Sequence, residues 1–146
     1  MPTRATVVRW GGEEFLIYIP EVDFSEVESI GAKMLSAIGK TPIETSHSNL
    51  TVTASIGVAR LPFMIDKQTM LAEQAVSLAD AALYRAKQTG RNRAVSLTNQ
   101  TLANHAEKTA VENDFTAAQH RGLINTVDIP GPAMDTSSVS YLKKAG

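Results

Sequence analysis

The sequence contains no cysteine, which excludes disulfide bridges, thiolate metal sites and thiol nucleophiles. Neither sign of charge dominates, because 14 basic and 15 acidic residues leave a net charge of -1. A general attraction to nucleic acid or to an anionic membrane is therefore excluded, and any bound anion must be held locally. No apolar run approaches the roughly 18 residues of a membrane span, and the N-terminus lacks the apolar region of a signal peptide. We expect a cytoplasmic protein.

What is present fits one folded domain followed by a polar segment. The chain has 146 residues, of which 43% are hydrophobic, which is ordinary for a folded protein. Residues 1–97 hold the strong hydrophobic periodicity. Residues 98–146 contain few large apolar side chains, and the sequence predicts a flexible polar tail there, with one weak helix around residues 101–121.

The pattern of residues 1–97 predicts the order β-β-α-β-β-α-β. The predicted elements are strands at 6–10 and 15–19, a helix opened by Asp23, strands at 43–45 and 50–59, a helix at 67–89 and a strand at 94–97. The first helix is expected to present one apolar face, formed by Val27, Ile30, Met34, Leu35 and Ile38. Gly57 inside a strand predicts either a bulge or a close approach of another backbone. The predicted fold class is α+β, with a mainly antiparallel sheet and flanking helices.

The segment Gly11-Gly12-Glu13-Glu14-Phe15 places two carboxylates at the tip of the first predicted hairpin. Glycine permits the tight turn and lets a phosphate or a base approach the backbone closely. Adjacent residues of an extended chain point to opposite sides, so Glu13 and Glu14 are expected to have different roles. Carboxylates are hard oxygen ligands of the kind that Mg²⁺ takes beside substrate phosphates. The alternative is an ordinary polar turn.

Three basic residues lie at or just beyond the C-terminal end of the second predicted long helix: Lys87, Arg91 and Arg93. They either bind phosphate groups or complement the negative end of the helix. Asp80 on the same helix has three possible interpretations: it contacts a ligand, it is a buried polar partner, or it is a charge on the helix surface.

Other chemistry-bearing residues are expected to be structural or exposed. The three histidines, His47, His105 and His120, lack metal-ligand spacing and are expected to be exposed to solvent. Trp10, Phe15 and Tyr84 are expected to be core anchors rather than stacking platforms for a base.

The five-residue segment resembles the signature of the GGDEF family of diguanylate cyclases, in its GGEEF form. Residues 51–59 resemble the family's strand after the signature, and residues 79–92 resemble its last helix and exit turn. The three motifs occur in the family's order, and the resemblance covers about residues 6–97.

The resemblance implies a palm-like nucleotide cyclase fold and a reaction between two subunits of a homodimer. Each subunit would bind one GTP with Mg²⁺ or Mn²⁺. The 3′-hydroxyl of each GTP would attack the α-phosphate of the GTP on the other subunit, to give cyclic di-GMP and pyrophosphate. An upstream sensory or regulatory module would control the reaction. The implied catalytic and metal-binding residues are Glu13 and Glu14, and the implied substrate-binding residues are Gly11, Gly12, Lys87 and Arg91.

The sequence also departs from the family pattern. The family's upstream strand with an Asp metal ligand, and the Asn and Asp that read guanine, have no counterpart in residues 1–10. We therefore expect the isolated chain to fold poorly or to complete its sheet by association, with little or no activity.

Pro2 and Ala5 stand where the family's inhibitory Arg-x-x-Asp would lie, so product feedback there is not expected. The alternative function is a truncated, non-catalytic remnant that acts as an interaction or regulatory module.

Overall fold

The computed structural model describes residues 4–134, whereas residues 1–3, which include Pro2, and residues 135–146 lie outside the described residues. Within the described range the helices are α1 (Val27–Gly39), α2 (Ala72–Gln88), α3 (His105–Asn113) and α4 (Phe115–His120). The strands are β1 (Thr6–Gly11), β2 (Glu14–Tyr18), β3 (Ile43–Glu44), β4 (Asn49–Leu50), β5 (Ser55–Val58), β6 (Met64–Ile65), β7 (Gln68–Thr69), β8 (Arg93–Leu97), β9 (Thr101–Leu102) and β10 (Thr126–Pro130). No helix among residues 4–134 is long and apolar enough to cross a bilayer.

The strands form small sheets flanked by helices, which confirms the predicted α+β class. The central sheet has the order β10–β8–β5, with β5 parallel to β8 and β10 antiparallel to β8. The others are the hairpins β1–β2 and β3–β4 and the sheet β7–β6–β9. Four of the six strand pairs in the described residues are antiparallel. Pairing is therefore mainly antiparallel, although the strands are divided among four sheets.

The helix α2 lies in the connection between β5 and β8, after β6 and β7, and packs across both β5 and β8. Its buried face consists of Ala75, Leu78, Ala82 and Ala86. Small side chains on this face let the helix approach the sheet closely, and a Cβ on Gly57 of β5 would lie 2.0 Å from the Ala79 carbonyl oxygen. The close backbone approach at Gly57 is thus confirmed.

The helix α2 begins later than residue 67, where the sequence placed its start. Asp66 and Lys67 adopt φ values of 49° and 61° in the turn that joins β6 to β7. That hairpin uses residues 64–69, so the helical path opens only at Ala72, where the Gln74 side chain accepts the Leu71 backbone N–H at 3.1 Å. A tight turn built without glycine gave no signal in the sequence pattern.

The helix α1 follows a short 3-10 turn at Phe24–Glu26, which Asp23 caps as predicted. The Asp23 carboxylate accepts the Ser25 backbone N–H at 2.9 Å and the Ser25 hydroxyl at 2.8 Å. The backbone hydrogen bond first, and the hydroxyl second, lower the pKa of Asp23 below its ordinary value. On the predicted apolar face only Leu35 is buried, and Ile38 is exposed.

Residues 98–134 do not form the flexible tail that the sequence predicts. They contain β9, α3, α4 and β10, and β10 pairs along the whole length of β8. Most of the sparse large apolar residues of this segment are buried: Leu102, Val111, Phe115, Ile124 and Ile129. The prediction of a flexible tail was wrong because it relied on the low apolar content of the segment. The few large apolar residues that are present are enough to anchor the segment in the core.

The expectation that three aromatic residues anchor the core is wrong. The exposed fractions of Trp10, Phe15 and Tyr84 are 59%, 62% and 62%. Trp10 and Phe15 belong to the β1–β2 hairpin, which forms a sheet of its own and pairs with no other strand of the described part. Tyr84 lies on the face of α2 that points away from the central sheet.

Candidate functional site

The tip of the β1–β2 hairpin carries the glycine-rich acidic segment, as the sequence predicts. Thr6 pairs with Tyr18 at the open end, and Gly11 pairs with Glu14 at the tip. The connecting turn is Gly12-Glu13, with Gly12 at φ +52°. Glycine adopts this left-handed conformation without the steric cost that a side chain imposes. A Cβ added at Gly11 or at Gly12 would meet no atom within 4 Å, so the tip leaves open space for a ligand.

Arg9 holds this turn, and the sequence interpretation did not identify it. Its guanidinium donates from Nε and Nη2 to the Gly12 carbonyl oxygen, at 2.9 Å and 2.7 Å. A two-donor contact from a planar guanidinium restricts the orientation of the peptide between Gly12 and Glu13. The available signal in the sequence was an arginine two residues before the Gly11-Gly12 turn.

Glu13 and Glu14 lie in different environments, as adjacent residues at a hairpin tip should. Glu13 occupies the turn and is exposed, whereas Glu14 begins β2 and is half-buried. The Glu14 Oε1 lies 3.6 Å from the Lys87 Nζ, and the two side chains are 43% and 25% exposed. This ion pair brings the hairpin tip against the end of α2. The contact joins the two motifs from which the sequence predicted a shared site.

The end of α2 is a left-handed turn. The Arg91 N–H donates to the Ala86 carbonyl at 3.0 Å, across Gly90 at φ +124°. This is the hydrogen-bond pattern with which helices commonly end. Arg91 and Asn92 are also left-handed, at φ 63° and 47°. Lys87 therefore lies on the last helical turn, and Arg91 lies in the exit turn that follows it.

Other predicted candidates lie apart from this arrangement. Asp80 is exposed on α2, which excludes a buried polar partner and leaves the surface-charge and ligand-contact interpretations open. His47, His105 and His120 are exposed, as predicted. Ala5 is half-buried at the position corresponding to the inhibitory motif.

Glu13 and Glu14 are chemically suited to a hard divalent cation. Within residues 4–134, no group of three or more His, Asp or Glu side chains is arranged to hold a metal ion. Two carboxylates nevertheless fit Mg²⁺, which often takes one or two protein carboxylates and completes its shell with phosphate oxygens and water. The donor set at the tip therefore fits a metal that arrives with a nucleotide.

The charges of the site are divided between its two parts. The tip carries two carboxylates, and the end of α2 carries Arg85 and Lys87 in its last turn. The Glu14–Lys87 separation of 3.6 Å is longer than a charge-assisted hydrogen bond but within ion-pair distance. The acidic tip and the basic end of α2 therefore meet at the Glu14–Lys87 contact.

Comparison with known proteins identifies the family. The family model described as diguanylate cyclase, GGDEF domain, matches residues 1–93. Diguanylate cyclase DgcZ of Escherichia coli (strain K12) is 30% identical over 99 residues, covering 68% of this chain and 32% of the relative. Diguanylate cyclase A of Treponema denticola is 33% identical over 97 residues, covering 66% of this chain and 25% of the relative.

A third relative has two activities in its name. The bifunctional diguanylate cyclase/cyclic di-GMP phosphodiesterase MucR of Pseudomonas aeruginosa is 31% identical over 116 residues, covering 80% of this chain and 16% of the relative. The chain thus spans about a third or less of the length of these curated relatives. Because the family model matches more than half of the sequence, the chain belongs to the GGDEF domain family.

Proposed function

We propose that this chain supplies part of the active site of a diguanylate cyclase. The reaction condenses two GTP molecules: each 3′-hydroxyl attacks the α-phosphate of the other GTP, two P–O bonds form, and two pyrophosphates leave. The product is cyclic di-GMP, a bacterial second messenger. The observation that carries the proposal is the contact between Glu14 at the signature tip and Lys87 at the end of α2. It brings together acidic and basic groups that are far apart in the sequence.

The proposed roles follow from the chemistry of each side chain. Glu13, exposed at the tip, is the metal-ligating carboxylate nearest the attacking 3′-hydroxyl, and Glu14 supports the same metal site. Lys87 and Arg91 bind the terminal phosphates, which leave as pyrophosphate. Mg²⁺ or Mn²⁺, when bound with GTP, neutralises phosphate charge and acidifies a coordinated hydroxyl. The side chains of this chain then orient the nucleotide between carboxylates and cations.

The proposal extends to the assembly that catalysis requires. A two-fold symmetric product made from two half-sites calls for a homodimer, in which each subunit holds one GTP. An upstream sensory or regulatory module controls the pairing. GTP is an intracellular nucleotide, so the proposal implies a cytoplasmic site. Product feedback through an Arg-x-x-Asp motif is not proposed, because Pro2 and Ala5 cannot bind a guanine edge or a phosphate.

The test of the proposed reaction is the substitution Glu13→Ala in the natural, full-length protein. Loss of a hard oxygen ligand beside the attacking hydroxyl should abolish Mg²⁺-dependent formation of cyclic di-GMP, measured by chromatography of the nucleotide products. We expect the 146-residue chain alone to show little or no turnover. A Glu13→Ala enzyme within about tenfold of the parent in kcat/KM would refute the role of Glu13. Robust synthesis by the isolated chain would refute the need for groups outside it.

A non-catalytic interaction or regulatory module is the second candidate. It is favoured by the exposed large apolar side chains of the β1–β2 hairpin, which suit a surface that binds another protein. This function needs no GTP turnover by the natural protein. A full-length protein that neither binds Mg²⁺-GTP nor forms cyclic di-GMP would select this candidate over the cyclase.

A further inference from the structure

The exit turn of α2 has an unusual backbone. Gly90 is followed by two residues with side chains, Arg91 and Asn92, that are both in the left-handed region. Consecutive left-handed residues other than glycine are costly, and they persist only where surrounding contacts hold them. Asparagine tolerates the conformation better than most residues, whereas arginine has no such preference. Contacts from elsewhere in the chain must therefore hold this turn.

Those contacts come from the segment that follows β10. The Asn92 side chain donates from Nδ2 to the Pro132 carbonyl oxygen at 2.9 Å, and the Asn92 carbonyl accepts the Gly131 N–H at 2.9 Å. The fit at Gly131 is tight, because a Cβ there would lie 2.0 Å from Asn92 Oδ1 and 2.6 Å from the Asn92 carbonyl oxygen. We call residues 130–132 the strap.

The strap is anchored on both sides of the turn. Pro130 pairs with Arg93 at the start of β8, which continues the antiparallel pairing of β10 with β8. Pro132 lies against the end of α1, where a Cβ on Gly39 would be 2.6 Å from its Cγ. The strap therefore ties the exit turn to the central sheet and to α1. All of it lies beyond residues 1–93, which the family model matches.

We propose that the strap positions the exit turn of α2 for phosphate binding, with Asn92 and Gly131 as positioning residues. The inference rests on the proposed function, in which Lys87 and Arg91 bind the terminal phosphates of GTP. Arg91 can present its guanidinium in a fixed direction only while its backbone keeps the left-handed conformation. The two hydrogen bonds to Asn92 restrain the residue that follows Arg91. The C-terminal segment is then a working part of the nucleotide site.

The experiment compares Gly131→Ala and Asn92→Gly with wild type in the natural, full-length protein. Gly131→Ala drives a methyl group into Asn92, whereas Asn92→Gly keeps the left-handed backbone accessible and removes only the side-chain bond to Pro132. The control is Asp128→Ala, which changes an exposed residue of β10, the strand that leads into the strap. Amide hydrogen exchange of Arg91 and Gly131 in nucleotide-free protein reports on the strap. Affinities for Mg²⁺-GTP and for inorganic tripolyphosphate report on the phosphate site.

Both strap variants should exchange the Arg91 amide about tenfold faster and bind GTP and tripolyphosphate about tenfold more weakly, as expected for the loss of one or two hydrogen bonds. In turnover the loss should fall on KM, with kcat within about twofold. Asp128→Ala should match wild type in all measurements. Unchanged exchange of the Arg91 amide in both variants would refute the claim that the strap holds the exit turn. Faster amide exchange with wild-type affinities for GTP and tripolyphosphate would refute the proposal that the strap positions the phosphate site. A wild-type protein that binds no GTP would refute the proposed function instead, and hydrogen exchange would still decide whether the strap holds the turn.

Discussion

Lys87 shows how one side chain connects two distant segments of this chain. Its ammonium lies 3.6 Å from the Glu14 carboxylate, with 25% of the lysine side chain exposed. A partly exposed ion pair at this distance contributes at most about 1 kcal/mol to folding. Stability alone is therefore a weak reason for the contact. The proposed role in phosphate binding and the helix-end role predict different consequences when the charge is removed.

The substitution Lys87→Ala in the full-length protein should raise KM for GTP about tenfold to a hundredfold, because a hydrogen bond to a charged group contributes about 1.5–3 kcal/mol. Steady-state kinetics of pyrophosphate release measure the change. Lys40→Ala is a matched control, since Lys40 is the exposed C-cap residue of α1 and also lies at the C-terminal end of a helix. If Lys87 only complemented the helix dipole, both variants would lower stability by a few tenths of a kcal/mol to about 1 and leave KM unaltered.

Arg9 and Asn92 show a second kind of residue-level role, in which a side chain acts on backbone. Arg9 donates twice to the Gly12 carbonyl in the acidic turn, and Asn92 donates to the Pro132 carbonyl beside the basic turn. Each contact restrains a segment that carries a proposed ligand-binding residue. Neither follows from the signature itself, because a side chain that binds a backbone carbonyl leaves no characteristic residue pattern.

At the scale of elements, α2 packs closely on the strand pair β5–β8. The two strands are parallel and adjacent, and α2 packs across them on a face of alanine and leucine side chains. Gly57 sets the closest point of this packing, since a Cβ there would also lie 2.3 Å from the Leu83 backbone nitrogen. Both obstructing atoms belong to the helix backbone. They cannot move aside as the end of a flexible side chain could.

Gly57→Ala should therefore destabilise the fold by about 1–3 kcal/mol or more, because overpacking against backbone forces the helix away from the sheet. Urea unfolding followed by circular dichroism measures the change. Gly11→Ala provides the comparison, since a Cβ at that strand position meets nothing within 4 Å. Its free energy of unfolding should stay within about 0.5 kcal/mol of wild type. Equal stability of the two variants would contradict the close approach of α2 to β5.

On the scale of the whole molecule, the two halves of the candidate site differ in how firmly they are held. The basic end of α2 belongs to the central core, whereas the acidic tip belongs to a hairpin that forms its own sheet. Several large apolar residues of the hairpin are exposed: Val7, Val8, Trp10, Phe15 and Tyr18. An apolar patch with unpaired strand edges is a site of further pairing or association.

The isolated chain should accordingly associate through the β1–β2 hairpin. Light scattering coupled to size-exclusion chromatography should give a mass above the 15.7 kDa of one chain. Val7→Lys places a charge on the hairpin and should shift the mass toward the monomer. Leu71→Lys alters another exposed large apolar residue, the N-cap of α2, and should have no effect. A monomeric wild-type chain, or a response to Leu71→Lys alone, would contradict association through the hairpin.

Local patterns predicted much of the element order because they act over a few residues. Two β-branched runs around Gly11-Gly12 determine the first hairpin, and Asp23 caps the turn that leads into α1. Helical spacing identified α2 over most of its length. The start of α2 and the aromatic exposures were missed, because Asp66 and Lys67 turn without glycine and a single strand pattern does not show which partners it will find.

The amino-acid sequence alone showed the chemical groups of the candidate site, which are a glycine turn with two carboxylates and a helix that ends in basic residues. Three long-range contacts were visible only in the folded chain: Glu14 with Lys87, β10 with β8 of the central sheet, and the strap with Asn92. The physical reason is the separation along the sequence over which each interaction acts. Turn and helix preferences arise from neighbouring residues, whereas these contacts depend on the burial of sparse apolar side chains that are far apart in the chain.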